Sequence, residues 1–220
     1  MKARLTEISR EEALRYMGVR GKPDEAMEAD VERCEEKLRA AVRPRAIWRL
    51  FALETDGTLA GTAFHPEGED IRKLTAGCSH AILFAATLGT ETETLIRRAQ
   101  GVDMADAVIL DALASAAIEN VCENLCADLK KELAPCRLTS RFSPGYGDFP
   151  LVQQRDMCNV LNTSRTLGIT LTQGGLMIPQ KSVTALIGVG EKMTETVSGC
   201  GKCMQAEYCL YRKEGMSCGK

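Results

Sequence analysis

Histidine is scarce in this chain: among 220 residues only His65 and His80 occur. That scarcity argues against a Ser-His-Asp triad or a histidine-rich metal site. The patterns GxxxxGK(S/T), GxGxxG, HExxH and GxSxG are absent as well, so the usual phosphate loop, dinucleotide fold, zinc protease and nucleophile elbow have no support. An excess of one charge is also lacking. The 28 basic and 30 acidic residues leave a net charge of -2, and no basic stripe is present to release counterions from nucleic acid. Long apolar runs are missing too. The longest, Ala81 to Leu88, is far too short to span a bilayer. Met1-Lys-Ala-Arg-Leu-Thr-Glu-Ile8 has no apolar h-region of a secretory signal. The expectation is a cytoplasmic protein that binds neither nucleic acid nor membrane.

Cysteine, in contrast, is abundant, with ten residues. Six are scattered (Cys34, Cys78, Cys122, Cys126, Cys136 and Cys158), mostly beside apolar or helical positions, and read as buried, inert thiols. Cys200, Cys203, Cys209 and Cys218 crowd into the tail with the spacing C-x2-C-x5-C-x8-C. Clustering in a reducing compartment favours metal over disulfide. Gly199 and Gly201 permit the tight turn that lets two thiolates chelate one centre. Structural zinc, an iron–sulfur cluster and a reactive dithiol all remain open. The spacing matches no standard ferredoxin run. High cysteine usage also suggests an anaerobic source.

An apolar fraction of 45% with 26% charged residues is ordinary globular composition. Ser9 with Glu12 forms a capping box, opening a helix that Gly18 and Gly21 end. Asp24 to Val42 carries apolar residues at helical spacing and stops before Pro44. Ala46 to Leu53 alternates as a strand, Asp56-Gly57 signals a hairpin turn, and Leu59 to Phe64 reads as the returning strand. Ala81 to Leu88 is a buried strand and Thr90 to Ala99 a helix. Asp103 to Leu133 is a long helix ended by Pro135, and Pro150 to Leu161 a short one. Ile169 to Thr172 and Ser182 to Val189 complete the strands. The irregular interleaving predicts an α+β fold, a mainly antiparallel twisted sheet with flanking helices. Residues 1–80 are expected to share one domain with the core, 81–190, and 191–220 form the Cys-rich tail.

The segment richest in ligand-type groups is Arg141-Phe-Ser-Pro-Gly-Tyr-Gly-Asp-Phe-Pro150. Pro144 fixes φ, while Gly145 and Gly147 let the backbone approach a ligand closely. Arg141 is either an exposed turn arginine or a planar fork for a carboxylate. Tyr146 is either a loop anchor or a group that stacks on a ligand ring. On the long helix, Ala112, Ala116 and Glu119 share a face, with Ser115 alongside. Small residues there allow close approach, which places Glu119 at the edge of a contact; the plainer reading is a solvated glutamate.

With Leu171-Thr-Gln-Gly-Gly-Leu-Met-Ile-Pro-Gln-Lys-Ser-Val183, the turn resembles the activation (reactivation) domain of cobalamin-dependent methionine synthase. That domain has an Arg-x-x-Pro-Gly-Tyr turn, followed by Leu-Thr-x-x-x-x-Met-x-Pro-x-x-Ser-Val. Here these are Arg141, Pro144, Gly145, Tyr146, then Leu171, Thr172, Met177, Pro179, Ser182 and Val183. Ala85-Ala-Thr-Leu-Gly-Thr-Glu91 resembles its strand-to-helix junction, and Asp111 to Glu119 its long helix. The resemblance implies that S-adenosylmethionine binds in a shallow groove, with Arg141 on its carboxylate and Glu119 on its amino end or ribose. Ser143, Pro144, Gly145 and Tyr146 would line that groove. It also implies docking on the cobalamin-binding module of a partner. There an electron donor such as flavodoxin or ferredoxin reduces cob(II)alamin, and S-adenosylmethionine supplies the methyl group.

The chain departs from the family in three respects. The methyltransferase and cobalamin modules are absent, so action in trans is expected, as part of a methionine synthase system rather than as a complete enzyme. Gly188 to Glu195 stands where the family carries a Tyr-bearing segment. The Cys-rich tail is an addition, read as a redox or zinc centre held by Cys200, Cys203, Cys209 and Cys218. Two alternatives stay open: a reactivation partner for another corrinoid methyltransferase, and a zinc-stabilised interaction module that binds no ligand.

Overall fold

Ser9 and Asp24 begin the two N-terminal helices, their side chains accepting hydrogen bonds from the N–H groups of Glu12 and Met27, each three residues on. These helices are α1 (Arg10–Tyr16) and α2 (Glu25–Ala41) in the computed structural model, which describes residues 3–191. Strand β1 (Arg45–Ala52) follows, then α3 (Glu69–Thr75), β2 (His80–Thr87) and α4 (Thr90–Gln100). Helix α5 runs from Met104 to Glu132, its first turn capped by the Asp103 carboxylate. The chain then forms β3 (Arg137–Leu138), a short 3-10 turn (Leu151–Gln153), α6 (Gln154–Leu161) and α7 (Thr163–Leu167). It ends in β4 (Thr170–Leu171), β5 (Met177–Ile178) and β6 (Ser182–Gly190). No helix among the described residues is long and apolar enough to cross a membrane.

The main sheet is antiparallel throughout, with strand order β1-β2-β6-β3, and β4 pairs with β5 apart from it. Trp48 lies opposite Phe84, Phe84 opposite Ala185, and Leu138 opposite Val189. Side chains alternate across a strand, so β2 serves two cores. Ile82, Phe84 and Ala86 face a core built largely from α1, α2, α4 and α5. Ala81, Leu83 and Ala85 face a second core closed by Ile71 and Leu74 of α3, Met157 and Leu161 of α6, and Leu167 of α7. The antiparallel sheet with flanking helices therefore appears as the sequence predicts.

Charged side chains tie the helices of the first face together. Glu35 is buried and accepts from Arg10 at 2.6 Å and Arg39 at 2.8 Å, joining α1 to α2. Asp106 of α5 accepts from both terminal nitrogens of Arg33, each at 2.7 Å, and from Lys37 at 3.0 Å. The Arg33 hydrogen bonds hold the Asp106 carboxyl well below the usual carboxylate range, overcoming its burial.

The returning strand expected at Leu59–Phe64 does not form. Only one bridge, Leu53–Leu59, links it to the sheet side of the turn. The Asp56-Gly57 turn itself is present, with Glu54 N–H bonded to Thr58 O at 2.9 Å. Beyond it Gly61 adopts a φ of 74°, and Leu59 N–H bonds to Phe64 O within the loop. This curl drives both Leu59 and Phe64 into the second core. Burial of two large side chains outweighs strand pairing there. Three short elements, α3, α7 and β3, lie in stretches without a periodic signal.

Candidate functional site

The Arg141–Pro150 turn is held by its own main chain. Gly145 N–H bonds to Phe149 O at 2.8 Å, and Phe149 N–H to Tyr146 O at 3.0 Å. Gly145 has a φ of 91° and Gly147 a φ of 54°, both in the region that favours glycine. A Cβ on Gly147 would run into the Asp70 carboxylate and come within 3.0 Å of the Phe142 ring. Asp148 accepts from the N–H groups of Glu69 at 2.6 Å and Asp70 at 3.0 Å, which pins the turn to the start of α3. Phe142 and Phe149 stack with centroids 6.2 Å apart.

This turn closes a groove of about 530 Å³ against α5 and β6. Of the residues picked out by sequence, Glu119, Arg141, Ser143, Pro144 and Tyr146 line it. Gly145 shapes the turn behind them: a Cβ there would sit 3.4 Å from Leu151 Cδ1. Arg141 donates to Glu119 across 2.9 Å. The Arg141 side chain keeps 25% of its surface exposed and that of Glu119 45%, so the pair is reachable from the groove. Burial weakens the guanidinium's hold on its proton, yet the neighbouring groups, the Glu119 carboxylate among them, outweigh it and the pKa is raised. Burial pushes the Cys122 thiol up to about 12, so at neutral pH Glu119 alone supplies the countercharge.

The groove crosses the open edge of β6. Past the Phe142–Leu186 bridge the neighbouring chain turns away at Pro144, and among the described residues nothing continues the ladder toward Ser182. On the α5 side stand Arg141 and Glu119. On the α6 side the lining is neutral: Phe142, Gln154, Met177, Ser182 and Thr184. These last residues carried no sequence signal of their own, although Met177 and Ser182 belong to the second motif. Ser182 donates to Pro179 O at 2.7 Å and bonds Thr87 Oγ1 at 2.9 Å, a structural use of its hydroxyl.

Two expectations are revised. Ala112 and Ala116 are buried in the first core, so their close approach is made within the protein rather than to a ligand; only Glu119, a turn further on, reaches the groove. Ser115 accepts from Lys181 at 2.8 Å, and Lys181 also pairs with Asp111 at 2.8 Å, anchoring the start of β6 to α5. Of the segment Gly188 to Glu195, Gly188, Val189 and Gly190 belong to β6 and Glu191 follows it, while residues 192–195 lie outside the described residues. Gly188 leaves room there for Cys78, since a Cβ would lie 2.6 Å from Cys78 Sγ. Of the scattered cysteines, Cys34, Cys122 and Cys158 are buried and Cys78, Cys126 and Cys136 partly so; burial raises the pKa of Cys34 and Cys78 to about 11, and raises those of Cys126 and Cys158. The tail cysteines Cys200, Cys203, Cys209 and Cys218 lie outside the described residues. Among the described residues no cluster of His, Cys, Asp and Glu is arranged to hold a metal ion.

No family model matches the chain, and no curated protein sequence matches it. Among solved structures it is similar to the crystal structure of the MetH reactivation domain bound to AdoHcy. The TM-score is 0.59, over 93% of this chain and 80% of that one, at 18% sequence identity. The chain has the reactivation-domain fold. At that identity the likeness speaks for the architecture, in which the sheet, the long helix and the Pro-Gly turn are framed together.

Proposed function

We propose that this groove binds S-adenosylmethionine and that the protein serves, in trans, as a cytoplasmic reactivation subunit for a cobalamin-dependent methionine synthase. The observation that carries the reading is the Arg141–Glu119 pair, set in a groove on a reactivation-domain fold. A zwitterionic amino-acid end fits an opened ion pair: its carboxylate takes the guanidinium fork and its ammonium takes the glutamate. The ligand's two charged groups replace the partners that separate, so neither Arg141 nor Glu119 is left without a countercharge when the pair opens. The solved relative was crystallised with AdoHcy, a ligand with the same amino-acid end. Ser143, Pro144 and Tyr146 then border the bound molecule, with Gly145 holding the turn.

In this role the methyl group leaves the sulfonium of S-adenosylmethionine for a corrinoid carried by the partner. A donor such as flavodoxin or ferredoxin supplies the electron that cob(II)alamin needs before it can be methylated. This chain contributes binding and orientation. The tail spacing C-x2-C-x5-C-x8-C supports a metal or iron–sulfur centre that relays that electron. Anaerobic purification yielding a colourless, iron-free, zinc-loaded protein would rule out the relay and leave a structural tail.

Calorimetric titration with S-adenosylmethionine tests the groove. Saturable binding by the native protein and its loss in Arg141→Ala is the expected result. If neither binds, the titration is repeated with a cobalamin-binding domain present; continued absence of binding would overturn the reading.

A further inference from the structure

We infer that the Thr184 hydroxyl is a ligand-recognition group at the neutral end of the groove, hydrogen-bonding the uncharged nucleoside end of the bound molecule. The inference rests on the proposed reading of the groove as an S-adenosylmethionine site. Thr184 lines the groove from β6, and its residue surface is almost wholly buried, at 1%. Among the described residues its hydroxyl oxygen has no hydrogen-bond partner. Buried hydroxyls are normally satisfied, and leaving one unpaired costs more than replacing it with an apolar group of the same shape. Valine would fill this position without that cost. A threonine here is therefore explained by a partner that arrives with the ligand.

The surroundings define what that partner is. Thr184 stands opposite Ala85 and beside Leu186 on the face of the sheet turned toward α6, whereas Arg141 and Glu119 approach from α5. The antiparallel ladder alternates, and Leu186 exchanges both main-chain bonds with Phe142, at 3.0 and 2.8 Å. The N–H and C=O of Thr184 are thus directed to that same edge, where the opposing chain has reached Pro144, which has no N–H to offer. Gln154, nearly buried, spends its amide N–H on Gly175 O at 2.6 Å, which fixes the side chain and leaves its carbonyl oxygen as an acceptor. Phe142 and Met177 supply apolar wall. Among the described residues no charged side chain lines this end. Neutral donors and acceptors around a slot with apolar walls suit a flat heterocycle or a sugar hydroxyl, not a second charged group.

The test compares native protein, Thr184→Val, Thr184→Ser and Arg141→Ala by titration with S-adenosylhomocysteine and by thermal unfolding without ligand. Thr184→Val is expected to bind about fivefold to tenfold more weakly, and Thr184→Ser within about twofold of native. The unliganded Thr184→Val protein should melt at or above the native temperature, because an orphaned hydroxyl has been removed. Undiminished binding by Thr184→Val, with Arg141→Ala still defective, would overturn this inference and leave the groove reading standing. A lowered melting temperature in unliganded Thr184→Val would show a structural role for the hydroxyl and overturn it as well. If native protein binds no S-adenosylhomocysteine even beside a cobalamin-binding domain, the groove reading fails and takes this inference with it.

Discussion

The two faces of the central sheet are built by different means. On one face lie α2, α4 and α5, of 17, 11 and 29 residues, with the shorter α1 beside them. Their apolar stripes pack into one continuous core, from Ile8 through Leu129 to Val189. The other face is covered by helices of five to eight residues and by loops whose single side chains, Leu59, Phe64 and Phe149, plug the second core. Long helices make the first face robust. Turns held by caps and individual hydrogen bonds make the second face shapeable, and the groove opens where that face meets the edge of β6. Stability and binding are therefore expected to separate between the faces.

The sharpest test sets one buried side chain from each face against the other. Leu113 is fully buried in the helical core, and Phe149 is 1% exposed in the second. Truncation of either to alanine is expected to cost about 3–5 kcal/mol, read from urea unfolding. Their effects on ligand should diverge. Phe149→Ala removes the ring stacked on Phe142, which lines the groove, so its folded fraction should bind S-adenosylmethionine poorly. Leu113→Ala should bind as native once corrected for the folded fraction. Equal losses of binding would mean that the faces are not independent.

The next effect belongs to the helical face alone. Asp106→Asn is expected to cost about 1–2 kcal/mol near neutral pH, since Arg33 and Lys37 lose their shared anion. The folded-state pKa of Asp106 is depressed. Its stabilisation is therefore present above the unfolded value, about 3.9, and is lost as pH falls from there toward the folded pKa. The gap between native and Asp106→Asn unfolding midpoints should be full at pH 6 and shrink below about pH 4. A gap independent of pH would remove the ion pair as its cause.

Gly188 probes the seam between β6 and the second face. An added Cβ would sit 2.6 Å from Cys78 Sγ and 3.0 Å from Thr139 Cγ2. Gly188→Ala should cost about 1–3 kcal/mol by overpacking. In a Cys78→Ala background the same change should cost measurably less, because the nearer clash has gone. Strict additivity of the two substitutions would show that the strand yields elsewhere.

The same division of faces governs how much the sequence discloses. The spans expected for α2, α5, β1, β2 and β6 fall within one residue of those observed, because apolar periodicity persists long enough to identify them. The α6-side face has no such record. Leu59–Phe64 follows a hairpin turn signal, as a returning strand would, but curls to bury both ends, and α7 is a five-residue helix in a Thr- and Ser-containing stretch without a periodic signal. In the groove, the residues alone leave Arg141 open between an exposed turn arginine and a carboxylate fork, and favour a solvated Glu119; the resemblance carried by the two Pro-containing motifs singles both out. Nothing singles out Thr184 or Gln154, since an ordinary threonine in a strand shows nothing until its hydroxyl is seen to lack a partner among the described residues.

The smallest expected effect sits at the joint between α6 and α7. Asn162 has φ 53° and ψ 46°, the only non-glycine positive φ among the described residues. It ends α6 and starts α7, and its carbonyl accepts from Thr166 Oγ1 at 2.9 Å. The bend turns the carbonyl oxygens of this helical pair toward the edge strand, where Arg49 donates to Val160 O at 3.2 Å and Arg45 donates to Thr166 O. A left-handed residue with a Cβ costs about 1–2 kcal/mol unless it is asparagine or aspartate, whose short polar side chains tolerate the region. Asn162→Ala is therefore expected to lose about 1 kcal/mol, whereas Asn162→Gly should stay within a few tenths of native, since glycine reaches this φ freely but orders at a greater entropic cost. A loss for Asn162→Gly as large as for Asn162→Ala would show that the side chain, not the backbone angle, secures the bend. The α6-side face would then depend on a polar contact rather than on conformational tolerance.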